Sequence, residues 1–399
     1  MKYPQVCDYV PVPQPVTTDR LIAAHYYPGW KKGKSGMHNG FDDLREYPER
    51  IPLAGFYDES SPEHADWEIK WAVEHGIGCF IYCWYRYKSN LNQPVTREGL
   101  RLSYALHDGF LRARYQNMMK FALMFECQTS RWGAADGPQD FLENVLPFWI
   151  ENYFRRENYL RLKNGKVMLF IYSYQDFINS IGGPEICAET LAKAREIMQK
   201  EGFPGIHFSV MHGEDTDYSL ARKAGFESAF EYCIFMKEKF LTEAQYAEYR
   251  KTLAVPEDVV VREELKYIQE RIDKASDFFI FINSVMRDSH PWYKLPWFDR
   301  ESILHEPLQF KLSPEKWKEV LTGTKEKLAQ LPADSIGNEL FIIDNWNEYS
   351  EGHYVAPTRG SGFRYLQAIR EVLTHCDNIP DYRTPDVLGL GPYDQEYNG

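Results

Sequence analysis

Two glutamates, Glu348 and Glu351, stand three residues apart in the segment Phe341-Ile342-Ile343-Asp344-Asn345-Trp346-Asn347-Glu348-Tyr349-Ser350-Glu351-Gly352. The segment begins as an apolar run and turns abruptly acidic and aromatic. A proton donor and a second carboxylate beside aromatic faces are what cleavage of a sugar–sugar bond requires. Three acids within eight residues repel one another when buried together, unless protons, cations or hydroxyls compensate. Crowding also raises the proton affinity of one carboxyl, which a general acid needs near neutral pH. If the turn after the run is helical, residues three apart have Cβ atoms ~5–6 Å from one another. That is nearer the ~5–5.5 Å carboxyl separation of retaining glycosidases than the wider inverting gap.

Something must hold these acids at the mouth of a cleft. Eight short apolar runs supply it: Leu21–Pro28, Gly78–Tyr85, Phe121–Cys127, Val167–Tyr174, His207–His212, Phe226–Cys233, Phe278–Val285 and Leu340–Asn347. Most are nearly continuous, as in strands buried on both faces. Between and after them lie helical patterns at Pro62–Glu74, Arg97–Tyr115, Gln139–Phe154, Pro184–Lys200, Tyr218–Ala224, Pro256–Ala275, Ser313–Leu331 and Gly362–Leu373. Strand–helix alternation of this kind predicts an α/β fold, a single (β/α)8 TIM barrel over residues 1–399 with its core at about 21–375 and a tail from 376. A doubly wound sheet is the alternative, but no GxGxxG turn follows the first strand. Long loops, from Trp30 to His64 and from Arg287 to Pro314, leave the C-terminal ends of strands, where barrel enzymes build their sites.

Polar and aromatic residues recur at those ends. His25, Tyr82, Glu126, Tyr172, Glu231, Asp344, Trp346 and Asn347 are the candidates to line a substrate cleft. Each has a plainer reading. His25 fits a satisfied core histidine, Tyr82 and Trp84 could fill the barrel top, and Glu126 and Glu231 could each pair with a structural arginine. His212, Glu214 and Asp215 form no recognisable metal frame, so neither metal nor cofactor is expected. Asp344 is left between two roles, contacting a sugar hydroxyl or holding the local proton balance.

Composition narrows the partner. A formal net charge of -12 argues against nucleic acid. Aromatics at 15% favour a ligand with flat C–H faces, an oligosaccharide or polysaccharide. No apolar run reaches the ~18 residues of a membrane span, so membrane insertion is not expected. The seven cysteines are irregularly spaced and read as free thiols. Met1-Lys2-Tyr3-Pro4 has no signal-peptide core, so the chain reads as cytoplasmic, or as periplasmic or secreted if a leader has been trimmed. A monomer or weak oligomer is expected.

Trp346-Asn347-Glu348-Tyr349-Ser350-Glu351-Gly352, with Pro357 following, resembles the W-N-E-[WY]-x-E-G-…-P signature of glycoside hydrolase family 99 and of the related WbsX-like proteins. Ala24-His25-Tyr26-Tyr27-Pro28 is similar to their Y-Y-P strand. Gly55-Phe56-Tyr57-Asp58, Glu74-His75-Gly76-Ile77 and Tyr82-Cys83-Trp84-Tyr85 are similar to further WbsX-like motifs. The resemblance implies a (β/α)8 barrel and metal-independent, retaining hydrolysis of α-mannoside-type linkages. It implies Glu351 as acid/base and Glu348 as the base that deprotonates the sugar 2-hydroxyl, with Tyr27 and Trp84 as sugar contacts. The chain departs from the pattern at Tyr349, Ser350, Glu126-Cys127-Gln128 and Met286-Arg287-Asp288, so the sugar itself does not carry over. Two other functions stand beside hydrolysis: glycosyl transfer in polysaccharide biosynthesis, and non-catalytic carbohydrate binding. No glycine-rich phosphate turn of the kind nucleotide-sugar transferases use follows a strand, whereas Asp215-Thr216-Asp217 does have the Asp-x-Asp spacing.

Overall fold

The computed structural model describes residues 10–31, 40–211, 218–291, 304–388 and 393. Eight parallel strands form the centre: β1 (Leu21–Tyr26), β2 (Ile77–Arg86), β3 (Lys120–Glu126), β4 (Val167–Ile171), β5 (Ile206–Met211), β6 (Ser228–Phe230), β7 (Phe281–Asn283) and β8 (Leu340–Asn345). Each pairs with its sequence neighbour from β1 to β6, and β7 pairs with β8 and β8 with β1. The ring closes at one parallel bridge between Ala229 and Phe279. There Ala229 N–H donates to Phe278 O and Ile280 N–H to Ala229 O, both at 2.8 Å. The expected barrel is therefore present, with its thinnest seam between β6 and β7.

The strands form because their side chains are apolar on both faces; β4 and β8 are buried along their whole length. Outside them lie α1 (Pro62–Val73), α2 (Tyr174–Ile181), α3 (Pro184–Lys200), α4 (Tyr218–Lys223), α5 (Glu243–Thr252), α6 (Glu257–Ala275), α7 (Pro314–Leu328) and α8 (Arg364–Leu373). Serine caps open α1 and α7: Ser61 Oγ accepts from His64 N–H and Ser313 Oγ from Lys316 N–H, both at 3.4 Å.

Two expected helices differ. The Arg97–Tyr115 pattern folds into short 3-10 and π turns. Leu102 takes a φ of 55°, and a Cβ on Gly109 would lie 2.3 Å from Glu59 O, so the chain there is shaped by close backbone packing. Residues 137–154 are helical but alternate α and π turns around Pro147. Proline lacks the N–H that would close the preceding turn. Arg86, at the end of β2, ties this segment down through Asp140, with Nη1–Oδ2 at 2.7 Å and Nη2–Oδ1 at 3.1 Å.

Candidate active site

The acidic segment is built on a bulge. Ala23 pairs with Ile342 but His25 pairs with Asn345, so β8 carries one extra residue there. Asp344 sits in it with a φ of 22°. Such backbone costs ~1–3 kcal/mol and persists only where neighbours over-determine it. Here Asp344 Oδ2 accepts from Val285 N–H at 2.9 Å and Oδ1 from Asn345 N–H at 2.8 Å. A hairpin follows, formed by β9 (Asn347–Glu348) and β10 (His353–Tyr354). The turn is not a helix, as the spacing argument supposed. Gly352 N–H closes it onto Glu348 O at 2.9 Å. Gly352 has a φ of 69°, and a Cβ there would lie 2.0 Å from Asp288 O. Buried Arg50 clamps the turn, donating to Asp288 O at 2.6 Å and Tyr349 O at 3.2 Å.

The hairpin brings Glu348, Glu351 and His353 together above Asp344. His353 Nδ1 lies 3.1 Å from Asp344 Oδ1, and Nε2 lies 3.0 Å from Glu351 Oε2. Glu348 faces His353 across the hairpin. Burial first, then the charge of Glu351, hold the Glu348 carboxyl well above the usual range; His353, a hydrogen bond from Tyr232 and Arg287 oppose this. The Tyr232 ring stands edge-on to His353 at 5.4 Å and to Tyr172 at 5.5 Å. Tyr172 feels the charges of Glu126 and Glu351. Glu126 is raised by burial, with Arg131 opposing and Glu351 adding to the rise, and its Oε2 has no partner among the described residues.

Other predicted residues point away from the acids or are packed beneath them. Tyr82 and Trp84 face the helix layer. Tyr82 packs on Tyr26 and Phe110, with centroids at 4.4 and 5.6 Å. Trp84 Nε1 donates to Tyr153 OH at 3.1 Å. Alternation along β2 puts Cys83 and Tyr85 on the inner face instead, next to Glu126 and Glu348. Trp346 also points outward, its Nε1 donating to Glu68 Oε1 of α1 at 2.9 Å. Glu231 reaches Arg271 of α6 at 3.4 Å, the arginine pairing weighed above. His25 is fully buried, its Nε2 3.2 Å from Glu231 O, and burial lowers its pKa to about 3. Asn347 acts as a backbone splint: its amide accepts from Tyr27 N–H at 2.8 Å and donates to Tyr27 O at 2.9 Å. Tyr27 is itself buried, its ring lying over Gly29.

Sequence reasoning missed His353, Tyr85 and Tyr232 as site residues. Period-2 alternation from Cys83 could have found Tyr85, and position beside Glu231 could have found Tyr232. His353 carried no signal beyond lying two residues after Glu351. His212, Glu214 and Asp215 lie outside the described residues. Among the described residues no three His, Cys, Asp or Glu side chains group as metal ligands would. Cys79, Cys83, Cys127, Cys187 and Cys233 are buried free thiols and Cys376 a half-buried one. No described helix is long and apolar enough to cross a membrane.

Two cavities frame the molecule. One of about 580 Å³ opens at the N-terminal mouth of the barrel, beside Thr18, Gly78, Lys120 and Glu339, away from the acids. Another of about 660 Å³ lies at the C-terminal end of β2, lined by Lys31, Tyr87, Arg97, Arg101 and Tyr104.

The strand order and closure define a (β/α)8 barrel with its acidic hairpin after the eighth strand. The family model described as "Glycosyltransferase WbsX" matches residues 138–369, and the chain belongs to that family. Two solved structures of the GH99 endo-alpha-mannosidase from Bacteroides thetaiotaomicron are similar in fold. The one in complex with BIS-TRIS-Propane has a TM-score of 0.57 at 16% identity, covering 89% of this chain and 96% of its own. The other has a TM-score of 0.56 at 16% identity, covering 89% and 97%. Uncharacterized protein WxcX of Xanthomonas campestris pv. campestris strain B100 is 24% identical over 92% of this chain. The match covers 51% of that relative, so the chain spans about half the length of the curated relatives it matches.

Proposed function

We propose that this protein is a retaining glycoside hydrolase in which Glu351 is the acid/base and Glu348 the second carboxylate. One observation carries the reading: Glu348 and Glu351 share one hairpin, with buried Glu348 pushed up partly by the charge of the half-buried Glu351. Two carboxyls whose surroundings differ suit different roles; by environment alone Glu348 is the one that keeps a proton, and the acid role of Glu351 comes from the family 99 likeness. The family 99 likeness supports a 1,2-anhydro route. Glu348 takes the 2-hydroxyl proton while that oxygen attacks the anomeric carbon. The C–O bond to the leaving sugar breaks, its electron pair goes to the leaving oxygen, and Glu351 supplies the proton. Water then opens the anhydro ring, giving one proton to Glu351 while Glu348 returns its own to the 2-oxygen. To act as the base, Glu348 must first lose the proton that burial holds on it, so substrate must bind the form in which Glu348 is ionised. Tyr85, Tyr172 and Tyr232 would meet the sugar. The α-mannoside linkage is proposed by analogy with the neighbours' titles alone.

Glycosyl transfer is the second reading, and the family's description favours it. A panel of polysaccharides and oligosaccharides, assayed for new reducing ends with no nucleotide sugar present, separates the two. Donor-independent release supports hydrolysis. Sugar incorporation that appears only with an activated donor overturns it.

A further inference from the structure

The proposed chemistry uses Glu348 and Glu351 but leaves Asp344 and His353 without a part. Both are fully buried beneath the carboxylates. A histidine with a carboxylate on each ring nitrogen is an uncommon thing to bury without use. Asp344 is held in strained backbone that aims its Oδ1 at Nδ1, while Nε2 meets Glu351 Oε2.

We infer that His353 is a positioning residue for Glu351: with Asp344 behind it, it presents a compensating cation to the carboxylate that Glu351 becomes on giving up its proton. The inference rests on the hydrolase reading only for Glu351's role as proton donor; the Asp344–His353–Glu351 chain stands on geometry.

Both ring nitrogens must carry protons for this, and the surroundings require it. Nδ1 faces the Asp344 carboxylate, which accepts and cannot donate while ionised, and Nε2 faces Glu351 Oε2, which accepts from it while the Glu351 proton sits on Oε1. Asn345 fits the same state. Its Nδ2 lies 2.7 Å from His353 Nδ1 while its Oδ1 has no partner among the described residues. Turning the amide over, which exchanges two atoms of nearly equal size, puts Oδ1 on the Nδ1 proton. Burial alone would strip the proton from His353, yet hydrogen bonds to and charges on Asp344 and Glu351 outweigh it and raise its pKa to about 9. The groups facing the ring come from every side. Asp344 and Asn345 rise from β8, Glu348 stands across the hairpin and Glu351 lies in the turn. Tyr232 follows β6, and His25 of β1 has its own proton affinity lowered by His353. Arg287 acts on Glu348 from outside this set.

In the first step Glu351 passes its proton to the departing glycosidic oxygen and gains a negative charge. An imidazolium in hydrogen-bond contact offsets that charge at the moment it forms, without reorganising. In the second step water returns a proton to Glu351 and the imidazolium keeps its bond to Asp344. His353 itself neither gains nor loses a proton.

The direct test is a pH titration of the Glu351 carboxyl by carbon-13 NMR in protein labelled at the Glu side-chain carboxyl, with the resonance assigned from its loss in Glu351→Gln. A neighbouring cation lowers a carboxyl's midpoint, so its removal must raise it. In His353→Gln the Glu351 midpoint should rise by about one pH unit, a tenfold change in proton affinity. Asp344→Asn, which leaves His353 in place but strips its counter-charge, should move Glu351 the same way by weakening the imidazolium. With a cleavable glycan in hand, the alkaline limb of kcat/KM should shift upward in both variants. kcat should fall at least ~10-fold for poor leaving groups and little for activated aryl glycosides. A Glu351 midpoint that stays put, or falls, in a folded variant overturns the inference. A raised midpoint in a protein that cleaves no glycan upholds the chain and counts against the hydrolase reading instead.

Discussion

Glu348 and Glu351 were legible as a pair because acids rarely follow an apolar strand without a use. Their neighbours were less so, and β2 shows why. Tyr82-Cys83-Trp84-Tyr85 is aromatic on both faces, and both faces are buried, so neither polarity nor bulk marks which side is the lumen. The structure turns Tyr82 and Trp84 outward and Cys83 and Tyr85 inward. His353 was invisible for another reason: its carboxylate contacts exist only once the hairpin folds back. Its fold dependence makes a stability prediction. The folded protein holds the His353 proton up to about 9, against 6.5 for an unperturbed histidine. The stabilisation is fully present below pH 6.5 and is lost as pH rises through 9; its size is on the order of 3 kcal/mol. His353→Gln should therefore lower the Tm most at pH 6, with the deficit shrinking by pH 9. A deficit of constant size across that range in thermal melts would contradict it.

At the scale of elements, the hairpin Asn347–Tyr354 is the part that had to be seen. A turn of Tyr-Ser-Glu-Gly suits a helix start as well as a hairpin, and only Gly352's positive φ and its approach to Asp288 decide between them. Gly352→Ala strains the backbone and drives a methyl into Asp288 O. The expected cost is about 2–4 kcal/mol by urea denaturation. Activity should fall further than stability alone explains, because Glu351 moves with the turn. A fully active Gly352→Ala protein would show that the turn does not set the acid's position. The long-helix prediction at 97–115 failed for a similar reason: Leu102 and Gly109 answer to packing against neighbouring backbone, which periodicity does not register.

Across the whole molecule, eight strands were readable because each is a near-continuous apolar run, whereas their ends shifted by up to three residues, at the end of β4 and in the short strands β6 and β7. The seam between β6 and β7 rests on one bridge, whereas β2 and β3 pair from Cys79–Lys120 through Tyr85–Glu126. Hydrogen exchange should open residues 228–230 and 278–283 well before β2 and β3. Equal protection around the ring would mean the barrel opens as one unit. The seam also lies beside Tyr232, so its opening would reach the site.

The central claim is that a metal-independent acid pair on this hairpin cleaves a glycan. The measurement that tests it most directly compares wild type, Glu351→Gln and Glu348→Gln on whichever glycan the reducing-end screen identifies, in chelator and without nucleotide sugar. Wild type should cleave it, and each variant should lose at least ~10³-fold in kcat with an unchanged circular dichroism spectrum. Cleavage at the wild-type rate by Glu351→Gln would contradict it.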